Sequence, residues 1–239
     1  MKTIFTFVVV FILIALVIQV HETGHAITAI LFGAKVDRIF IGIPIVPKLN
    51  FDLANIPVEI SPWIITGGVQ VSKEEMKSLQ PLAKIIVIAS GVIFNLLIVV
   101  LSATIFAGLK GFLGSIILIK ETFLRFLNIF KGKSRLSNLS GPVGVFQLGF
   151  VAFDRGWQGI LALWILLNLG VAYFNIIPLY PLDGGRVVVE IFDFLFGRFD
   201  LYKSVSNIIQ IAMTLGLLLL VIGVTFKDIF FSKPDGGNE

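Results

Sequence analysis

The chain has 239 residues, 56% of them hydrophobic and 14% charged, with a mean hydropathy of +0.98. Soluble domains carry about one quarter charged residues, so this composition excludes an ordinary water-soluble globule and makes the lipid bilayer the main solvent. The formal charge of +4 is spread thinly between apolar runs, which excludes nucleic acid as a partner, and the absence of cysteine leaves any metal to His, Asp, Glu or Asn.

The first predicted element is an apolar span from Thr3 to Leu31, longer than the roughly 20 residues a bilayer core requires. Lys2 followed by an apolar stretch has the outline of a secretory signal. The run is long for that purpose, has no clear small-x-small cleavage site before its polar end, and leads straight into His21-Glu22-Thr23-Gly24-His25. It reads as a retained transmembrane helix. From Gly33 to Gln80 the pattern changes. Pro44, Pro47, Pro57 and Pro62 forbid a long helix, and pieces such as Arg38–Ile41 and Pro57–Ile60 favour short strands. The apolar density at Ile39, Phe40, Ile41, Ile43 and Ile45 predicts that 33–71 is a β-rich element lying against the helices, with a tight turn and extended arm at Ile64–Val69.

Pro81 suits the first turn of a second span reaching about Ala107. After a glycine-punctuated stretch, Ser115–Phe130 is apolar but interrupted by Lys120, Glu121 and Arg125, which predicts an interfacial or short amphipathic helix and not a full span. Lys131–Asn138 reads as a basic loop, and Ser140–Gly144 as a turn opening another short helix that stops at Asp154, so that 108–157 is expected to be loop and interfacial helices. A third span runs from about Gln158 to Ile177 and is broken by Pro178 and Pro181. The polar turn Asp183-Gly184-Gly185-Arg186 then leads into a short helix to Phe196, and a fourth span, about Val205 to Phe226, precedes a polar tail, 227–239. The expected fold is a polytopic α-helical membrane protein: about four transmembrane helices, short interfacial helices and a small membrane-associated β-rich element, with 1–226 as a single domain.

The chemistry concentrates at residues 21–25. On a helix His21 and His25 lie i and i+4 on one face and can grip one zinc ion, with Glu22 beside them as a general base for an attacking water. A chance match to this pattern is common in long proteins. Here the two histidines are the only ones in the chain, and polar clusters at the end of an apolar span are expensive. A third ligand must be a carboxylate. Asp183 is the strongest candidate, just beyond the break at Pro178 and followed by glycines that permit close backbone approach; Glu190, Asp193 and Asp200, like Glu59, Glu74 and Glu75, are explained equally well by solvent. Asn95, Asn168 and Asn175 also stand in apolar surroundings. Asn168 reads as an interhelical hydrogen-bonding residue, whereas Asn95 and Asn175 are divided between that role and donation to a peptide carbonyl or oxyanion.

These residues resemble the site-2 protease family of intramembrane zinc metalloproteases. The resemblance rests on HETGH at 21–25, Gly67-Gly68-Val69, Gly91-Val92-Ile93-Phe94-Asn95, Ser140-Gly141-Pro142-Val143-Gly144, and Asn175-Ile176-Ile177-Pro178 leading to Leu182-Asp183-Gly184-Gly185. It implies zinc on His21, His25 and Asp183, Glu22 as the base, and Asn95 and Asn175 in substrate or active-site organisation. Val92 stands where relatives usually carry proline, and Tyr180 where proline is frequent; no segment is long and polar enough for a PDZ or CBS domain. The resemblance further implies single-span membrane proteins or signal-peptide-like chains as substrates, and a separate regulatory or adaptor protein. The expected location is the cell membrane, multi-pass. Lys35, Arg38, Lys48, Lys73, Lys77 and Lys84 put the 33–80 loop and the active site toward the cytoplasm, with Lys110 to Arg135 opposing.

Overall fold

The structure, a computed structural model, describes residues 2–42, 47–53, 56–61, 67–130 and 142–230. The expected turn at 64–66, Ile43 and Ile45, the 131–138 loop, residues 140–141 and the tail from 231 lie outside the described residues. Four helices among those described are long and apolar enough to cross a membrane: Thr3–Leu31, Pro81–Asn128, Gly156–Ile176 and Asp200–Phe226.

The first helix, α1 (Lys2–Leu31), runs unbroken through HETGH. Four short strands follow: β1 (Val36–Ile41), β2 (Leu49–Leu53), β3 (Ile56–Ile60) and β4 (Gly67–Val71). They form one sheet in the order β2-β3-β1-β4, with β1 parallel to β3 and the other two pairs antiparallel. That order leaves β4 on an edge. A six-residue helix, α2 (Lys73–Ser78), is capped by Ser72, whose Oγ accepts from the Glu75 N–H at 3.4 Å. Val71, Met76 and Leu79 pack on a buried cluster of Ala29, Ala34 and Val87, which seats the end of the sheet and α2 against the helices.

The next helix, α3 (Pro81–Phe130), departs from the expected single span plus interfacial helix. Gly108 breaks it at φ +56°, and the arm from Leu109 to Phe130 folds back along the first arm. A straight helix would separate Val99 from Ile119 by about 30 Å; here Ile119, Phe123 and Phe126 pack on Val99, Leu169 and Tyr173. The back-folding needs Gly111 as well, because a Cβ there would run into the Ala103 backbone carbonyl. The periodicity of this arm is that of the expected amphipathic helix, and its apolar side is the one that packs. Ile119, Thr122, Phe123 and Phe126 fall on one stripe and are partly buried, while Lys120, Glu121 and Arg125 are exposed on the other side.

The chain continues with α4 (Pro142–Asp154) and α5 (Gly156–Ile176), which join α1 through Val10, Ala152 and Leu163. A short loop with a cis Tyr180–Pro181 bond leads to α6 (Asp183–Phe196), so the expected polar turn at Asp183–Arg186 is the first turn of a helix. The last helix, α7 (Asp200–Phe230), starts earlier and ends later than the expected span.

Candidate metal centre

Two helices approach closely enough to build the site because both present glycine. A Cβ on Gly24 of α1 would lie 2.7 Å from the Ser90 carbonyl and 2.9 Å from Phe94, so only glycine lets α1 settle on α3 at that level. Along the facing side of α3, Val87, Gly91 and Asn95 recur every four residues and form one stripe. Each member meets a histidine of α1. The Val87 carbonyl accepts from His25 Nδ1 at 2.8 Å, the Asn95 Oδ1 accepts from His21 Nδ1 at 2.7 Å, and Gly91 faces the gap between the two Nε2 atoms.

Asp183 arrives from α6, where its carboxylate stands in the first turn and is favoured by the helix dipole. Gly184 and Gly185 make that position possible, since a Cβ on either would collide with the backbone of the 176–180 loop. The Asp183 Oδ2 lies 2.7 Å from His21 Nε2 and 3.2 Å from His25 Nε2. All three side chains are buried. Because each histidine spends its Nδ1 hydrogen on a protein oxygen, both Nε2 atoms keep a lone pair. In the neutral imidazoles two nitrogen lone pairs and a carboxylate oxygen then converge on one point, a donor set that a metal ion would hold together.

The geometry fits a metal ion for a second reason. A Cβ on Gly91 would stand 2.6 Å from both Nε2 atoms, so the absence of a side chain there keeps the space between them open. Two imidazoles and one carboxylate form a donor set suited to zinc with a coordination position left for chemistry. His21, Glu22 and His25 also group within 4.8 Å through their potential ligand atoms. Glu190 and Asp193, two of the other carboxylates weighed from the sequence, are engaged elsewhere: Glu190 pairs with Lys84 at 2.9 Å and Asp193 accepts from the Tyr202 hydroxyl at 2.6 Å.

Glu22 sits beside this centre on the wall of a cavity of about 450 Å³, which is also lined by His25, Val69, Lys77 and Arg186. Its Oε2 accepts from the Val69 N–H at 3.2 Å. That bond fixes the orientation of β4: Val69 turns its amide away from β1 and toward α1, so the outer edge of the sheet, as described, borders the cavity.

Of the two roles open to Asn95, the hydrogen bonds match the interhelical one. The residue is fully buried, and its amide donates to Asn168 Oδ1 at 2.9 Å and to the Val17 carbonyl at 3.3 Å while its oxygen holds His21. It has no donor left for a peptide or an oxyanion; its position is behind the histidine. Asn168 extends the chain of bonds to the Trp164 carbonyl at 2.9 Å. Asn175 donates to Val171 at 3.0 Å within the last turn of α5. Sequence reading missed the space kept by Gly91, the Val69 amide and Arg186, whose Nη1 lies 3.4 Å from Asp183 Oδ1. The spacing of Gly91 four residues before Asn95 was the available signal for the first of these.

Comparison with known proteins places this geometry in context. The description of Peptidase family M50 matches residues 9–221. A candidate zinc metalloprotease of Streptococcus pneumoniae is 29% identical over 124 residues, 51% of this chain and 29% of the relative. One from Clostridium perfringens is 29% identical over 133 residues (54% and 38%), and one from Fusobacterium nucleatum 37% identical over 68 residues (28% and 20%). The chain thus spans less than two fifths of the length of these relatives.

Proposed function

The chain belongs to peptidase family M50 and, with four helices able to cross a bilayer, is a multi-pass membrane protein; from that premise we propose that it is a zinc-dependent endopeptidase cutting peptide bonds within or near the transmembrane segments of other membrane proteins. The observation that carries the reading is the convergence of His21 Nε2, His25 Nε2 and Asp183 Oδ2 beside Glu22, in a cavity bordered by an open strand edge. The zinc metalloprotease names of the relatives support it.

Bound zinc supplies Lewis acidity, making water a nucleophile at neutral pH and polarising the scissile carbonyl. The protein's own groups do the rest. Glu22 takes the proton of the attacking water as the carbon–oxygen bond forms and gives it to the amine as the carbon–nitrogen bond breaks. Asn95 holds His21 in the tautomer that leaves Nε2 free, and Val87 does the same for His25. A transmembrane helix hides its peptide groups in internal hydrogen bonds, so the substrate segment must unwind before it is cut. The outward edge of β4 offers that segment replacement partners by strand addition, next to Glu22. In this reading the sheet is membrane-associated, Asn175 acts in active-site organisation, and the lysines of 33–84 keep the site toward the cytoplasm.

The test compares wild-type protein with Glu22→Gln, which preserves shape and removes the base, on a panel of single-span substrates in detergent. Cleavage by wild type alone is expected; equal cleavage by both sinks the reading. A transporter and a non-catalytic signal-peptide-binding scaffold are the rivals from other classes, and neither requires the stoichiometric zinc that metal analysis of the purified protein is expected to find.

A further inference from the structure

The cavity beside Glu22 carries charge that peptide hydrolysis does not call for. Lys77 of α2 and Arg186 of α6 both line it, and among the described residues Glu22 is the one carboxylate on its wall. Among the described residues Lys77 has no ion-pair or hydrogen-bond partner. Among the same residues Arg186 reaches only Asp183 Oδ1, at 3.4 Å, well beyond the usual 2.7–2.9 Å of a charge-assisted bond, and its side chain stays 46% exposed. A neighbouring cavity of about 260 Å³, which the same two cations also line, provides the contrast. There Lys84 is neutralised by Glu190 at 2.9 Å, and the remaining carboxylate, Asp193, is taken by Tyr202. The acids of that neighbouring cavity are therefore engaged, and Glu22 alone faces two cations where they share a cavity with the outward edge of β4.

We infer that Lys77 and Arg186 form an anionic subsite, through which a peptide lying on the edge of β4 is recognised by a carboxylate close to the bond to be cut. The inference rests on the proteolytic reading for its substrate but not for its binding geometry. A peptide laid along the outer edge of β4 enters the cavity that Val69, Glu22 and the two cations line together. An acidic side chain or a free C-terminus supplies the carboxylate, and the guanidinium of Arg186 can hold it through two parallel N–H bonds. The subsite is absent from the sequence pattern because Lys77 and Arg186 are 109 positions apart and join only through the packing of α2 and α6 around α3.

The experiment uses the full chain as Glu22→Gln in nanodiscs of neutral phosphatidylcholine. Labelled apolar peptides carry one Asp walked along the sequence, with a matched Asn series and with free or amidated C-termini, and affinity is read by fluorescence anisotropy. Asp at one or two positions, or the free C-terminus, is expected to bind about five-fold more tightly than its neutral match, the size of a partly solvated ion pair. Lys77→Glu should abolish that preference and turn it toward peptides with Lys at the same place; Lys203→Gln, on the exposed side of α7, should leave it unchanged. Because Arg186 also touches Asp183, the reversal at Lys77 is the decisive variant. Equal affinity for Asp and Asn at every position and for both C-termini overturns the subsite, as does a Lys77→Glu protein that keeps the original preference. Wild-type cleavage of the same peptides separates the two claims: cutting without acid preference counts against the subsite alone, and acid-selective binding with no cutting counts against the protease reading alone.

Discussion

Gly91→Ala should empty the metal centre while leaving the helices in place. The added Cβ would sit 2.6 Å from His21 Nε2 and from His25 Nε2, about 0.8 Å short of the 3.4 Å at which ordinary contact begins. Both rings must move, yet a zinc site tolerates only about 0.2 Å in its ligand distances. The rings cannot swing freely either, because each Nδ1 is tied to α3, one to Asn95 and the other to Val87. Loss of the groups that merely orient a ligand costs 10–100-fold in metal affinity, so displacing two ligands together should cost about 100-fold or more. Helix formation itself gains, since alanine is favoured over glycine by about 1 kcal/mol in a helix interior. Zinc affinity measured by chelator competition on the purified protein, with helix content followed by circular dichroism, checks both halves. Gly170→Ala is the control, since nothing lies within 4 Å of its Cβ. Wild-type zinc affinity in Gly91→Ala would refute the placement of the ion between the two Nε2 atoms.

Asp183→Ala should lower zinc content and activity together; full metal retention with activity lost would assign Asp183 to the substrate instead. Asn95→Leu removes the acceptor of His21 Nδ1 and strands the Asn168 amide oxygen, so zinc affinity should fall by 10–100-fold and stability by about 1–3 kcal/mol, read by chelator competition and denaturant titration. Outside the spans, the Lys48 ammonium and then Arg38 hold the Glu59 carboxyl below its ordinary range. A depressed folded-state pKa stabilises above the unfolded value and loses that contribution as pH falls through the carboxylate range. The thermal midpoint difference between wild type and Glu59→Gln should therefore shrink on acidification below that range, and a difference independent of pH would remove Glu59 from the account of the sheet.

Local chemistry and hydrophobic runs made the spans and the HETGH helix readable, because each depends on consecutive residues. What depended on distant pairing was not readable in the same way. The back-folding at Gly108 required seeing that Ile119, Thr122, Phe123 and Phe126 form a stripe; counting Lys120, Glu121 and Arg125 hid it. The short α2 was announced by Ser72 and Glu75 in capping-box spacing and was passed over amid the prolines of its neighbourhood. Sheet order, with the parallel β1–β3 pair and β4 on the edge, follows from no strand's own composition. At the site, residue type left Asn95 open to a substrate role or an interhelical one, and its neighbours on α1 and α5 take both of its donors. A polar residue in an apolar helix signals a partner without saying which one.

The central claim is that His21, His25 and Asp183 hold one zinc ion. X-ray absorption at the zinc edge of the purified protein tests it most directly. One ion per chain is expected, with two imidazole nitrogens at about 2.0–2.1 Å and carboxylate or water oxygens at about 2.0–2.2 Å, and with one imidazole lost in His25→Ala. Protein purified with zinc available that holds none, or a spectrum of oxygen ligands unchanged by His25→Ala, would contradict it.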